Sequence, residues 1–251
     1  MTLGMIKYHL LVLWREPLNM FFGFALPFIM LFAFATMWDE AYVAMNLEFN
    51  FAAWLLIAAM VLCFTDAALS HTYARQTKFL RRLRMTSVTP QNYILTGMIS
   101  RICVLVVMAA ALLAVMAVGY DKNLLEATTG ESRNLLLFVA LLLWAFIMFY
   151  VIAMTFVNIA KNPKRAEGVV YMSFFGMLLV GFWIPLVVFE NVSETLGNIL
   201  SYLPHLSAIN VLTNAWRGAD IFYGSGINYF IAMIAYTVVF GLLSLKFFRF
   251  E

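Results

Sequence analysis

Long apolar runs separated by short polar stretches dominate the chain. A helix crossing about 30 Å of hydrocarbon needs roughly 20 apolar residues. Six runs meet that length: Leu18 to Trp38, Phe51 to Tyr73, Ile102 to Tyr120, Leu135 to Ala160, Val169 to Phe189 and Ile227 to Leu245. Each predicts a transmembrane helix, because lipid leaves no partner for an open backbone N–H or C=O. A β-barrel would show short alternating segments instead. Ala33-Phe34-Ala35 resembles a signal-peptide cleavage site. The apolar stretch is longer than a signal-peptide core and follows a polar-mixed segment, so an uncleaved first span is expected.

The stretch from Leu196 to Trp216 is long enough to cross once but carries Asn198, Ser201, His205, Ser207, Asn210, Thr213 and Asn214. Pro204 divides it into two pieces, each too short to span. It predicts a broken helical hairpin that dips into the outer leaflet and returns. Polar backbone at that depth survives only when covered by protein or facing a wet cavity.

The 251 residues are 64% hydrophobic and 12% charged, against roughly 45–50% and about 25% in soluble domains. Too little polar surface is present to cover a soluble core, and disorder is excluded more firmly. The length suits one polytopic domain over residues 1–251. Basic residues orient it. With the N-terminus inside, 13 of the 16 Lys and Arg are internal, leaving Lys122, Arg133 and Arg217 outside. Both termini are then cytoplasmic. Cys63 and Cys103 sit in apolar runs, and His9, His71 and His205 are far apart. No disulfide framework, metal site or resident cofactor is expected from them.

Two polar segments carry further information. Residues 1–17 predict an interfacial elbow helix, with Leu3, Ile6, Leu10, Leu13 and Trp14 on one face, or else a short anchor with no mechanical role. In the inner region 74–101, Arg75, Lys78, Arg81, Arg82 and Arg84 alternate with Phe79, Leu80 and Leu83. Thr89-Pro90 fits an N-cap and first helical position, so a second helix should run through Tyr93 into the third span. Such a cationic cluster fixes topology and binds anionic lipid. Its apolar stripe and capped turn also suit docking into a partner's groove. No G-x-x-x-x-G-K-[ST] loop is present, so nucleotide is not held by that route.

At these residues the chain resembles a permease of the type-2 ATP-binding-cassette (ABC) exporter family. The elbow ends in Arg15-Glu16-Pro17, and the first span holds Pro27. The family's first inner loop reads like R-E-x-G-T-L-E-R-L-x-x-T-P-V-S-P. Here Arg75 to Pro90 reads RQTKFLRRLRMTSVTP. Leu80, Arg82, Leu83, Thr86, Val88 and Pro90 fit; Gln76, Lys78 and Ser87 stand where Glu, Gly and Pro are usual. The broken hairpin near Leu203-Pro204, within an outer region of residues 190–226, also fits.

The resemblance implies an all-α fold with six transmembrane helices, an elbow helix and an outer re-entrant hairpin. It implies a bacterial inner-membrane exporter subunit that pairs with a second permease, as a homodimer or a heterodimer. Two separate ATPase subunits would bind ATP and Mg. Arg75, Lys78, Phe79, Arg81, Arg82, Leu83, Arg84 and Thr86 would form the coupling contact. The cargo expected from a Met- and Phe-rich lining is a hydrophobic drug, a lipid-like molecule or an amphipathic peptide. Asp66 is a membrane carboxylate, read either as a path or gate residue or as an acid bonded to Thr65, Ser70 or a neighbouring helix. Glu190, Glu194 and His205 ring the outer hairpin as a candidate exit gate or as solvated groups.

Three rivals are weaker. An ion-gradient-driven secondary transporter would show internal repeats, and none is evident between the halves. Gly224-Ser225-Gly226 lacks the spacing of a serine nucleophile, which leaves no candidate catalytic residue. No channel filter sequence is visible, and nothing points to nucleic acid.

Overall fold

A computed structural model gives the architecture. It describes residues 2–15, 21, 25, 28–29, 40–83, 85, 89–119, 135–160, 162–179, 194–216, 218, 221 and 224–247. Among these, all regular structure is helical. In chain order come α1 (Thr2–Arg15), α2 (Glu40–Val61), a π-helical segment (Leu62–Ala68), α3 (Leu69–Gln76), α4 (Phe79–Leu83), α5 (Pro90–Gly119) and α6 (Leu135–Ile159). There follow α7 (Pro163–Leu178), α8 (Glu194–Ser201), α9 (Pro204–Trp216) and α10 (Ser225–Lys246).

Among the described residues, four stretches are long and apolar enough to cross a membrane: Phe51–Gln76, Asn92–Val115, Leu135–Ile159 and Gly226–Lys246. They return four of the six expected runs. The run Leu18 to Trp38 lies almost wholly outside the described residues. The run Val169 to Phe189 begins on α7 and passes beyond them. The third span starts ten residues earlier than expected, at Asn92, because Arg101 is buried inside it.

The first of these stretches, formed by α2, the π segment and α3, is the centre of the bundle. Its Ala52, Ala53, Ala58, Ala59, Ala67 and Ala68 are buried. Small side chains let neighbouring helices approach closely, which drives packing where lipid is as apolar as the core. α6 lies against the π segment and supplies Phe146 and Phe149 to the shared core. α10 packs most extensively on α6 and shows much of its surface to the outside.

Pro204 opens α9 as its first residue, where its missing N–H is not needed. Leu203 donates its N–H to the Leu200 carbonyl at 2.9 Å, closing the turn between α8 and α9. The break expected at Pro204 is therefore present. α9 is nearly all buried and packs against α2, α6 and α10. At its end, the Trp216 ring lies 5.1 Å from Phe51 and 5.0 Å from Phe138, wedging the starts of two spans. With 13 residues, α9 is about 20 Å long and too short to cross.

Candidate functional site

The basic segment is a short helix held off the end of the central span. α3 ends at Gln76, and the Thr77 N–H donates to the Tyr73 carbonyl at 2.9 Å. Lys78 then adopts a left-handed backbone, φ 56°, which costs a non-glycine residue roughly 1–2 kcal/mol. This is the position where the resembling family usually has Gly. α4 follows at once. Its Leu80 is buried against Ala74 of α3 and Tyr93 of α5. Phe79 is half-buried and stacks on Tyr8 of α1, with ring centres 5.5 Å apart. Lys78, Arg82 and Met85 are exposed. The next helix starts where expected: the Asn92 N–H donates to Thr89 Oγ1 at 3.3 Å, making Thr89 the N-cap.

The expected coupling residues therefore divide. Lys78 and Arg82 project outward, and Phe79 joins α4 to the elbow. Arg81 and Leu83 fall on α4, but their side chains, like Arg84 and Thr86, lie outside the described residues. Arg75 is buried, and its Nη1 donates to the carbonyls of Val157 at 2.9 Å and Ala160 at 3.2 Å. It thus satisfies the C-terminal carbonyls of α6 with a positive charge, the sign that end favours. Gln76 Nε2 donates to Glu167 Oε1 of α7 at 2.7 Å. Arg75 and Gln76 fix the root of α4 to two other helices.

Below this root lies a buried polar centre. Asp66, on the π segment, forms an ion pair with Arg101 of α5, and both side chains are almost fully buried. Ser70 Oγ also donates to Asp66 Oδ1 at 3.4 Å. Arg101 Nη1 donates to the Gly97 carbonyl at 2.9 Å. Asp66 thus has the Ser70 and neighbouring-helix contacts that the sequence offered as one reading. Thr65 instead donates to the Val61 carbonyl at 2.7 Å. Sequence reasoning missed Arg101 as the partner, since it counted that residue as a cytoplasmic charge. The available signal was an Arg eleven residues inside a helix capped at Thr89.

Gly97 makes this meeting sterically feasible. A Cβ there would lie 3.2 Å from Arg101 Nη1, 3.2 Å from Tyr150 Oη and 3.5 Å from His9 Cε1. Two helices, α5 and α6, and the elbow converge on that point. His9 is buried on α1, with its ring 5.2 Å from Tyr93. Burial, assisted by the positive Arg101, lowers its pKa from 6.5 to about 3, so the imidazole is neutral when docked.

The outer candidates are less connected. His205 is buried at the start of α9. Glu194 is the first residue of α8, and Glu190 lies outside the described residues. Among the described residues, no group of three His, Cys, Asp or Glu could hold a metal ion. Asn158 joins α6 to α10, its Nδ2 donating to the Ser244 carbonyl at 3.4 Å.

Among the described residues, four membrane-length stretches, two of them joined by a buried ion pair, define a multi-pass membrane protein. Residues 40–246 match the ABC-2 family transporter protein profile. The chain belongs to that family: it is the membrane subunit of an ABC transporter, a permease type without a nucleotide-binding domain, and ATP is generally bound by ATPase partners. No curated protein matches the chain significantly.

Replacing Arg101 with Ala leaves the Asp66 carboxylate buried without its counter-charge. Breaking such a pair costs about 3–5 kcal/mol, so the thermal unfolding midpoint in detergent should fall sharply. Asp66→Asn combined with Arg101→Gln removes both charges and should recover part of that loss. An equal fall in the double variant would contradict the ion-pair assignment.

His9 gives a pH dependence. Its docked pKa, about 3, lies below the free value of 6.5, so protonation favours the undocked elbow. Docking should be strongest above about pH 6.5 and weaken as pH falls toward 3. Trp14 fluorescence and tryptic cleavage after Arg15 report it. His9→Phe should remove the dependence; a profile unchanged by that substitution would place the titrating group elsewhere.

Proposed function

We propose that this chain is the translocation half of an ATP-driven exporter. It pairs with a second permease and is driven by two separate ATPase subunits that bind ATP and Mg. α4 is the coupling helix. One observation carries this reading: α4 is a cationic projection whose apolar side is anchored, with Leu80 buried between α3 and α5 while Lys78 and Arg82 face outward. Exposed charge on an anchored root suits a groove in a soluble partner better than a lipid surface, which requires no anchoring.

The mechanical route is short. ATP-driven closure of the partners displaces α4. Arg75 and Gln76 carry that displacement to α6 and α7, and Leu80 carries it to α5. Differential contact with the partners in their two states shifts the bundle between inward- and outward-facing arrangements. Lys78, Arg81, Arg82, Leu83, Arg84 and Thr86 touch the ATPase; Arg75 and Phe79 brace the helix that presents them.

Both termini are cytoplasmic and the membrane is the bacterial inner one. Six spans, with α8 and α9 as an outer re-entrant hairpin, complete the topology over residues 1–251. Asp66 acts through Arg101 rather than by meeting cargo. His205 and Glu190 remain the gate candidates on the outer side. The cargo is hydrophobic or amphipathic.

The test combines Arg82→Glu with Leu83→Ala. Expected is loss of ATPase co-purification while the permease still inserts in the membrane. Retained assembly together with retained transport refutes the coupling assignment. Transport that follows an imposed ion gradient and ignores ATP would favour a secondary transporter instead.

A further inference from the structure

α5 and α10 both pack on α6 and touch each other little. Three helices with two interfaces leave a cleft, of about 420 Å³, open at the face of the bundle. Met98 of α5, Tyr150 and Met154 of α6, and Val238, Gly241 and Leu245 of α10 line it. A Cβ built on Gly241 meets nothing within 4 Å, so this residue is a gap in the α10 wall.

The chemistry of the lining selects the occupant. The Tyr150 hydroxyl donates to the Ile94 carbonyl at 3.1 Å, and the Thr237 hydroxyl donates to the Met233 carbonyl at 2.8 Å. Two of the three hydroxyls on the wall, those of Tyr150 and Thr237, are thus committed to helix carbonyls, and Ser244 carries the third. A polar ligand would lose its hydration and gain little, whereas hydrocarbon loses nothing. Val238, Leu242 and Leu245 are more than half exposed in the chain and face the lipid side.

Its length selects further. The α10 wall runs from Thr237 to Leu245, which is about 12 Å along a helix. That is less than half of the about 30 Å hydrocarbon thickness. The cleft therefore belongs to one leaflet. A crossing helix of a second copy would need a face twice as long. Lys246 follows Leu245 directly and is exposed at the membrane end of α10. Among the described residues its ammonium has no carboxylate partner; it lies 5.8 Å from the Phe247 ring centre. A cation at that level suits an anionic headgroup.

We propose that the α5–α6–α10 cleft binds one acyl chain of an anionic phospholipid whose headgroup sits at Lys246. On the orientation proposed above, the lipid comes from the inner leaflet. The site itself does not depend on that orientation, on the coupling assignment or on the cargo.

Native mass spectrometry of the purified chain, with phosphatidylglycerol or phosphatidylethanolamine added, tests this. The wild type should retain one phosphatidylglycerol more tightly than the others. Gly241→Phe and, separately, Val238→Trp fill the cleft from two positions and should weaken that binding at least tenfold. Lys246→Gln should weaken phosphatidylglycerol several-fold and leave phosphatidylethanolamine nearly unchanged. Gly176→Phe is the control, because Gly176 also has open space but lies on α7 away from the cleft. Either of two results overturns the proposal. One is undiminished phosphatidylglycerol binding in both cleft variants while each unfolds at the wild-type temperature. The other is a loss of dimer in those variants with the lipid count unaltered, which would make the cleft an interface between copies.

Discussion

The arrangement depends on one interaction, the ion pair between Asp66 and Arg101. Two charges taken out of water carry a penalty of several kcal/mol each, and only close approach with further hydrogen bonds offsets it. Here the Ser70 hydroxyl and the Gly97 carbonyl supply those bonds. Neither charge can leave without stranding the other, so the central span and α5 are held in one relative register. Everything on that end of the bundle is placed by reference to it. The elbow reaches it through His9, α6 through Tyr150, and α4 through the two helices it connects.

The same pair sits on an unusual backbone. Leu62–Ala68 is π-helical and wholly buried. Such turns are rare and concentrate at functional sites. They leave helix carbonyls short of their usual donors, and Thr65 and Thr72 answer locally by donating to Val61 and Ala68, four residues back. Side-chain bonds of this kind bend helices. The widened segment carries Asp66, which pairs with Arg101 of α5, and separates the packed α2 part of the central span from α3, to which α4 is attached. The proposed transmission thus passes through a section less regular than either neighbour.

Much of the architecture was legible because membranes allow few solutions. Apolar length alone placed the runs at Phe51, Leu135 and Ile227 within a few residues. Pro204 announced the break between α8 and α9, and Thr89-Pro90 announced the start of α5. What escaped was pairing at a distance. Arg101 and Asp66 are 35 positions apart, and neither carries a local mark of its partner. Arg75 reads as one more surface cation until the end of α6 arrives beside it. Both were counted among the inner charges that orient the chain, yet both are buried. Eleven inner basic residues remain against three outer ones, so the asymmetry persists without them.

The departures from the resembling family's loop pattern are also self-consistent. Gln76 stands where Glu is usual, and its amide donates to Glu167 at 2.7 Å. A carboxylate at that position would oppose a second carboxylate across the same gap, so the amide is the residue this neighbour requires. Lys78 stands where Gly is usual and adopts a left-handed backbone, φ 56°. The strain is offset by the contacts that follow it, Leu80 in its buried cluster and Phe79 against Tyr8. In return, a positive charge is exposed at the tip of the turn. Against the pattern, one acid is exchanged for an amide at Gln76, a second acid for Arg81, and one glycine for the cation Lys78. The segment is consequently more basic than the pattern it resembles, and under the proposed coupling role an acidic groove would complement it.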